Sequence, residues 1–244
     1  MRNGSVLVVA ATPLELQYLH TSLTEAQPTP IPGWHYVHEG KLAGQDVLLV
    51  ASGVGKSSIA AAIAAVAARN DVTACINVGI AGAYVGAFLP VGMAVAAERE
   101  IDIDAGILTM DEDGVLHTTS LSTVPLSRGS SGDKESGVFE VFPTDPAWTR
   151  RLGDATRTSP QVFATSDAIS GDLDVAARRF ATTNAGVESM EGVGAAIACH
   201  HLGIPFAELR GISNIAGIRD KSQWQVDVAL KAMSRALLTA LQDV

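Results

Sequence analysis

Residues 46–69 read DVLLVASGVGKSSIAAAIAAVAAR, and this stretch decides the fold class. Its opening, 46–52, is a nearly unbroken apolar run, the pattern of a short strand buried on both faces. Gly53 and Gly55 then break the chain, and 56–69 is an Ala-rich helical pattern. A strand, a glycine turn and a helix make one repeat unit of an α/β layer. The alternation recurs outward from it. Strand-like runs fall at 5–11, 73–78, 92–98, 161–166, 186–188 and 206–213, and helical patterns at 13–25, 146–156, 172–182, 191–202 and 226–242. In the last, Val226, Leu230, Met233, Leu237 and Leu241 recur at spacings of three and four, forming one core-facing stripe. The expected fold class is α/β, with a mostly parallel central sheet flanked by helices.

The 244 residues suit a single domain spanning 1–244, long enough to bury a sizeable core. Hydrophobic residues are 47% and charged residues 18%, which excludes a disordered composition. A net charge of -9 argues against nucleic acid or an anionic membrane as partner, since both require clustered Lys and Arg. Cys75 and Cys199 show no metal or redox spacing and read as reduced, buried thiols. The apolar run near the start is too short for a secretory signal, and Pro13 and Glu15 follow at once, so a cytoplasmic location is expected. The stretch 110–137, polar and rich in Ser, Gly and Asp, reads as an extended surface loop: a lid, an oligomer contact or a disordered segment.

Several motifs carry two readings. Ser52-Gly53-Val54-Gly55-Lys56-Ser57 suggests a phosphate loop, but the position five residues before the Gly-Lys pair is Val50, not glycine. It remains a tight turn that points backbone N–H groups above the sheet. Thr12-Pro13-Leu14-Glu15 is a helix start, with Thr12 as N-cap, Pro13 at the first position and Glu15 closing a capping box. Glu15 also follows the first strand, at the carboxyl edge where open α/β sheets bind ligands. His200-His201 ends a helical pattern, where the helix dipole explains them; His20, His35, His38 and His117 form no evident cluster, and no metal site is expected. Glu188-Ser189-Met190-Glu191-Gly192 and Ser213-Asn214 could each be a strand end with a cap.

Taken together these segments change the weighting. Glu15 after the first strand, Ser52-Gly53-Val54-Gly55-Lys56, Asn77-Val78-Gly79-Ile80-Ala81-Gly82, Met190-Glu191 and Ser213-Asn214 stand in the order and spacing of one family. The sequence resembles the nucleoside phosphorylase/nucleosidase superfamily, whose hydrolytic members include the 5′-methylthioadenosine/S-adenosylhomocysteine nucleosidases. The resemblance covers nearly the whole chain and implies a phosphorylase/hydrolase-like fold, with a central mixed β-sheet flanked by helices. Three details are similar to the futalosine hydrolase branch: the Glu-Ser-Met-Glu-Gly wording, Ile80 where the methylthioadenosine enzymes carry Ser, and Asn214 in place of Asp, followed by Arg219-Asp220 and Trp224.

The resemblance implies hydrolysis of an N-glycosidic bond with no cofactor, a small-molecule purine nucleoside as ligand, and a homo-oligomer. For the branch, the reaction is release of hypoxanthine from futalosine on the way to menaquinone. Such a cleavage passes through an oxocarbenium-like centre. By position, Glu15 would activate water, and Glu191 would accept from the ribose hydroxyls with Met190 against the sugar. Asn214 would address the purine. Val54, Ile80, Ala81, Gly82 and the stretch Asp167-Ala168-Ile169 would wall the ligand, with Trp224 over it or in the core. An amide cannot be a general acid, but it can donate to a 6-oxo group and accept from a protonated ring nitrogen, which suits hypoxanthine better than adenine. Ring protonation must then come from water or another group. The first loop has no Arg or Lys and the glycine turn offers only Lys56, which favours water over phosphate as nucleophile. Arg219, Arg128 or a residue of a partner subunit is expected to meet the carboxylate of the futalosine tail. The rival readings are an adenine-releasing nucleosidase, a purine nucleoside phosphorylase, and a nucleoside-binding module without activity.

Overall fold

The computed structural model describes residues 4–110, 112, 116–119 and 139–242. Its strands are β1 Ser5–Ala10, β2 Thr24–Pro28, β3 Val37–Leu42, β4 Gln45–Ala51, β5 Val72–Ala83, β6 Ala94–Asp102, β7 Ile107–Met110, β8 Leu116–Thr119, β9 Glu140–Pro143, β10 Gln161–Thr165, β11 Val187–Ser189 and β12 Phe206–Ile215. The helices are α1 Gln17–Ser22, α2 Lys56–Ala67, α3 Pro146–Thr156, α4 Leu173–Thr183, α5 Gly192–Leu202 and α6 Val226–Gln242. Short 3₁₀ turns stand at Pro13–Leu16, Val85–Ala87 and Lys221–Gln223.

The main sheet runs β11-β10-β6-β12-β5-β1-β4-β3-β2, with β9 also on β6. Pairs β1–β4, β1–β5, β5–β12, β6–β10 and β10–β11 are parallel. Pairs β2–β3, β3–β4, β6–β12, β6–β9 and β5–β11 are antiparallel. The sheet is therefore mixed, and less parallel than strand–helix alternation alone predicts. The extra antiparallel strands β2, β3 and β9 are partly exposed and too polar to read as apolar runs. The β5–β11 pairing sets Glu188 opposite Gly82 and closes one half of the sheet on itself.

Alternation along β1 sends side chains to two cores. Val6, Val8 and Ala10 face α1, α3 and α6, where Leu19, Leu152, Leu230, Met233, Leu237 and Leu241 are buried. Leu7 and Val9 face α2 and α5, against Ile59, Ile63, Val66, Val193 and Cys199. Cys75 and Cys199 are both buried free thiols. The α6 stripe is as predicted except that Val226 is only half-buried; each fully buried member contributes about 1.5–3 kcal/mol.

Several expectations need correction. The predicted helix 13–25 is a 3₁₀ turn followed by the short α1, and β2 begins at Thr24. The predicted strand 73–78 runs on to Ala83: Gly79 and Gly82 read as turn residues but lie in extended chain. Within 110–137, Met110 belongs to β7 and Leu116–Thr119 to β8, which form a two-stranded antiparallel ribbon; apart from Glu112, the rest of that expected loop, with Arg128, lies outside the described residues. The histidines also do more than expected, since His20 and His38 stack with ring centroids 4.5 Å apart beside Tyr36. Among the described residues no group of His, Cys, Asp and Glu is arranged to hold a metal ion, and no helix is long and apolar enough to cross a membrane.

Candidate functional site

The carboxyl ends of β1, β4, β5, β11 and β12 converge on a cavity of about 390 Å³. Such convergence is where sheets of this class place ligands. Glu15, Val54, Ile80, Ala81, Gly82, Ile169, Met190, Glu191, Asn214 and Trp224, scattered through the sequence, all line it, and so does Arg219. Of the stretch 167–169 only Ile169 reaches the wall. Asp167 turns away, its carboxylate accepting from the Lys56 backbone N–H at 3.2 Å.

Glu15 ends the first loop, and its carboxylate is fixed from both sides. Oε2 accepts from the Thr12 backbone N–H at 2.9 Å, the reach-back of a capping box, and from the Thr12 hydroxyl at 3.0 Å. Oε1 accepts from the Ile80 N–H at 3.0 Å. A carboxylate has about four acceptor positions, so one remains, on Oε1. Burial raises the Glu15 pKa above the ordinary carboxylate value, and the nearby Arg210 charge only partly pulls it back. Capping and site membership thus coexist in one side chain.

Glu191 sits where β11 passes into α5. Gly55, at φ 94°, has a left-handed backbone that turns its N–H onto Glu191 Oε1 at 3.1 Å. Oε2 accepts from Arg210 Nη2 at 3.1 Å. Two acceptor positions stay open, one on each oxygen.

Arg210 is the residue that the sequence did not disclose. It is 1% exposed and joins the two halves of the site from below. Its Nε donates to Glu208 Oε1 at 2.7 Å, Nη1 to the Ile80 carbonyl at 3.3 Å and Nη2 to Glu191. Burial opposes its charge, but Glu208, Glu191 and Glu15 outweigh that and hold the guanidinium more firmly protonated. Glu208 is anchored in turn by Asn77 Nδ2 at 2.9 Å. Arg210 and Glu208 alternate along β12 with fully buried Leu209 and read as core strand positions, so only the tertiary contacts reveal them.

Glu188 is a second omission. Its Oε1 accepts from the hydroxyls of Tyr84 at 3.0 Å and Ser170 at 2.6 Å and from Arg179 Nη1 at 2.7 Å, and its Oε2 from the Ser170 N–H at 2.9 Å. This bonding pins the loop that carries Ile169. Arg179 also donates to the Ala168 carbonyl at 2.6 Å.

Asn214 is buried at the end of β12. Its Oδ1 accepts from the Ser213 hydroxyl at 2.7 Å and its Nδ2 donates to the Ile215 carbonyl at 2.9 Å. A carbonyl only accepts, so the amide nitrogen must lie on that side. One amide proton and one Oδ1 lone pair remain. Trp224 is held by its Nε1 donating to the Ile218 carbonyl at 3.0 Å.

Lys56 is not free. Its ammonium bonds to Asp102 Oδ1 at 3.0 Å and to Asp104, with Asp167 at 3.9 Å. Burial would lower its pKa, but the bonds to Asp104 and Asp102 prevail and raise it. In the glycine turn the Gly55 and Lys56 amides are both taken by carboxylates.

Comparison with known proteins agrees with the fold. Residues 5–242 match the model of the phosphorylase superfamily, and the chain belongs to that superfamily. It is an enzyme of the nucleosidase kind, hydrolysing N-glycosidic bonds. Futalosine hydrolase of Thermus thermophilus is 33% identical over 237 residues, 97% of this chain and 95% of that one. The 5′-methylthioadenosine/S-adenosylhomocysteine nucleosidase of Colwellia psychrerythraea is 33% identical over 214 residues, 86% and 83% of the two chains. The fold matches the solved Neisseria meningitidis 5′-methylthioadenosine/S-adenosylhomocysteine nucleosidase in complex with methylthio-immucillin-A, with a TM-score of 0.82 at 19% identity over 99% and 100% of the chains.

Proposed function

We propose that the protein hydrolyses the N-glycosidic bond of futalosine, a 6-oxopurine nucleoside, releasing hypoxanthine in the route to menaquinone. The observation that carries this is the Asn214 amide. Its spare proton can donate to a 6-oxo group and its spare lone pair can accept from a protonated ring nitrogen. An adenine would set its exocyclic amine against the amide N–H, and leaving those buried groups unpaired costs about 1–3 kcal/mol. The similarity to the Thermus thermophilus futalosine hydrolase supports the same substrate. The enzyme acts in the cytoplasm as a homo-oligomer.

In this reaction the two open acceptor positions of Glu191 take the vicinal ribose hydroxyls. Water sits at the remaining Oε1 position of Glu15. As the C1′–N9 bond lengthens, its electron pair withdraws into the purine and positive charge builds on the sugar. The carboxylates of Glu15 and Glu191 stabilise that charge. Water oxygen bonds to C1′ while its proton passes to Glu15, whose raised pKa makes it a better base than an exposed carboxylate. The purine takes a proton from solvent and leaves as neutral hypoxanthine, its ring N–H donating to Asn214 Oδ1. Water rather than phosphate is the nucleophile because the nearby cations, Lys56 and Arg210, are already bound to carboxylates.

The test is incubation with futalosine, methylthioadenosine and inosine in phosphate-free buffer, identifying the released base by chromatography. Hypoxanthine from futalosine is expected. Adenine from methylthioadenosine with futalosine left intact would overturn the substrate, and a strict need for phosphate would overturn the reaction.

A further inference from the structure

We propose that Glu208 and Glu100 are a pair of positioning residues for the hydrolysis: they hold one proton between them and present a single negative charge to Arg210, which sets how strongly that guanidinium draws on Glu15 and Glu191. The effect on the reaction rests on Glu15 being the base that activates water. Glu208 on β12 and Glu100 on β6 are both fully buried. Their carboxyl groups meet beneath the first residue of α5. A Cβ at Gly192 would stand 2.3 Å from Glu100 Oε2 and 2.6 Å from Glu208 Oε2, so the missing side chain lets the two oxygens approach. Neither glutamate lines the cavity, and any influence on the ligand runs through Arg210.

The bonds say where the proton lies. Glu208 Oε1 accepts from Arg210 Nε at 2.7 Å and Oε2 from Asn77 Nδ2 at 2.9 Å, which leaves an acceptor position on Oε2. Glu100 Oε2 accepts from the Thr165 hydroxyl at 2.8 Å; that hydroxyl oxygen accepts from the Val193 N–H at 3.1 Å, so its own proton is committed to Glu100. Among the described residues Glu100 Oε1 has no hydrogen-bond partner, and Glu100 forms no ion pair. A buried carboxylate with one donor and no cation is costly, whereas a neutral carboxyl donating to Glu208 Oε2 uses the open position. Burial first, then the Glu208 charge, raises the Glu100 pKa well above the usual value. Against burial, the Glu208 charge is the largest influence keeping Arg210 protonated. Glu15 is raised by burial first, then lowered by the Arg210 charge, with Glu191 acting the opposite way. The Cys75 thiol on β5 also feels Glu208, but its hydrogen bond to Cys199 on α5 and its burial come first and keep it neutral. With the single charge of the pair in place, Arg210 is largely spent and Glu15 stays basic. Without it, the guanidinium would bear more heavily on Glu15 and weaken the base.

The experiment measures kcat/KM against pH, on the nucleoside cleaved fastest, in the wild type, Glu100→Gln, Glu208→Gln and the double variant. Glu208→Gln is close in shape, and Asn77, whose Oδ1 has no partner, can turn its amide to accept from the new amide nitrogen. In Glu100→Gln the charge stays on Glu208, and the acid limb should move little. In Glu208→Gln, Glu100 gives up the proton and takes over the charge, so the limb should again move little. The double variant has no charge to present. Its limb should shift to lower pH by about one unit, and its plateau kcat should fall severalfold, as Glu15 becomes a weaker base. A merely structural role would lower stability without moving the limb, and independent sites would give single effects that add up to the double. Infrared spectroscopy reads the shared proton without turnover. In a Glu15→Gln background at neutral pH, adding Glu100→Gln should remove the carbonyl band of one neutral carboxylic acid. An unmoved limb in the double variant, or a spectrum unchanged by Glu100→Gln, overturns the pair. An acid limb that survives Glu15→Gln overturns the base assignment, while loss of the band with Glu100 still supports the shared proton.

Discussion

Replacing Gly79 by Ala should disable the enzyme through one methyl group. A Cβ at that position would stand 2.5 Å from Arg210 Nη1 and 2.5 Å from Glu15 Oε1, where ordinary contact begins near 3.4 Å. Each neighbour would have to retreat by about 0.9 Å, the difference between those two distances. Neither is a loose side chain. Arg210 is bonded to Glu208, Glu191 and the Ile80 carbonyl, and Glu15 to Thr12 and the Ile80 N–H. A displacement of about 1 Å at a reacting group lowers rates by roughly a hundredfold, about 2.7 kcal/mol. Overpacking a filled interior costs about 1–3 kcal/mol of stability. The expected result is therefore kcat down roughly a hundredfold on futalosine, KM changed far less, and a lowered thermal midpoint. Gly171→Ala is the control, because nothing lies within 4 Å of its added Cβ; its stability should move by less than about 0.5 kcal/mol. A folded Gly79→Ala enzyme with kcat within about threefold of wild type would refute the account of the Glu15–Arg210 contact as a rigid constraint.

Other substitutions probe the remaining parts. Glu15→Gln should lower kcat by about 10²–10⁴ while leaving KM nearly unchanged. In the wild type, kcat/KM should fall as pH drops through the raised pKa of Glu15, so its acid limb lies above the ordinary carboxylate range; that limb should vanish in the variant, and unchanged turnover would return Glu15 to capping alone. Asn214→Asp should shift the ratio of kcat/KM toward adenine nucleosides by about tenfold or more, roughly 1.4 kcal/mol, read by competing hypoxanthine and adenine substrates. Glu100, whose Oε2 accepts from Thr165 Oγ1 at 2.8 Å, is buried beside Glu208 across Gly192. Burial first, then the Glu208 charge, pushes the Glu100 pKa well above the usual value. A group whose pKa is raised on folding stabilises fully below its unfolded pKa and loses that contribution as pH rises through the folded one. The thermal midpoint should thus decline toward alkaline pH, and Glu100→Gln, which imitates the protonated carboxyl, should flatten the decline; an unaltered slope across pH 5 to about 9 would count against a neutral Glu100.

Much of the protein was legible in its residues one after another. Apolar runs and stripes located β1, β4, β10, β12, α2, α3 and α6, because burial on a sheet or helix face imposes a period on the sequence. Glu15, Glu191 and Asn214 were recognisable as a set only through the resemblance to the nucleoside phosphorylase/nucleosidase superfamily, since by local pattern each reads equally well as a cap or a strand end. Local pattern misled where two forces competed. Gly79 and Gly82 look like turn residues, yet β5 continues through them: Gly79 leaves room for Glu15 and Arg210, and Gly82 lies 3.2 Å, measured from an added Cβ, from the Ala216 backbone. The polar edges β2, β3 and β9 owe their extended form to pairing with a neighbour, and such pairing leaves little trace in composition. What only the tertiary structure decided is the electrostatics beneath the site. Arg210, Glu208 and Glu100 sit on strands as ordinary core positions, and nothing in their spacing joins them to Glu15, which is far from all three in the chain. Folding brings them together out of water, where a charge must find a partner or a carboxyl must keep its proton. Sequence alone thus nominated the groups that line the cavity; the three-dimensional packing decided which buried charges lie beneath them and how those charges are paired.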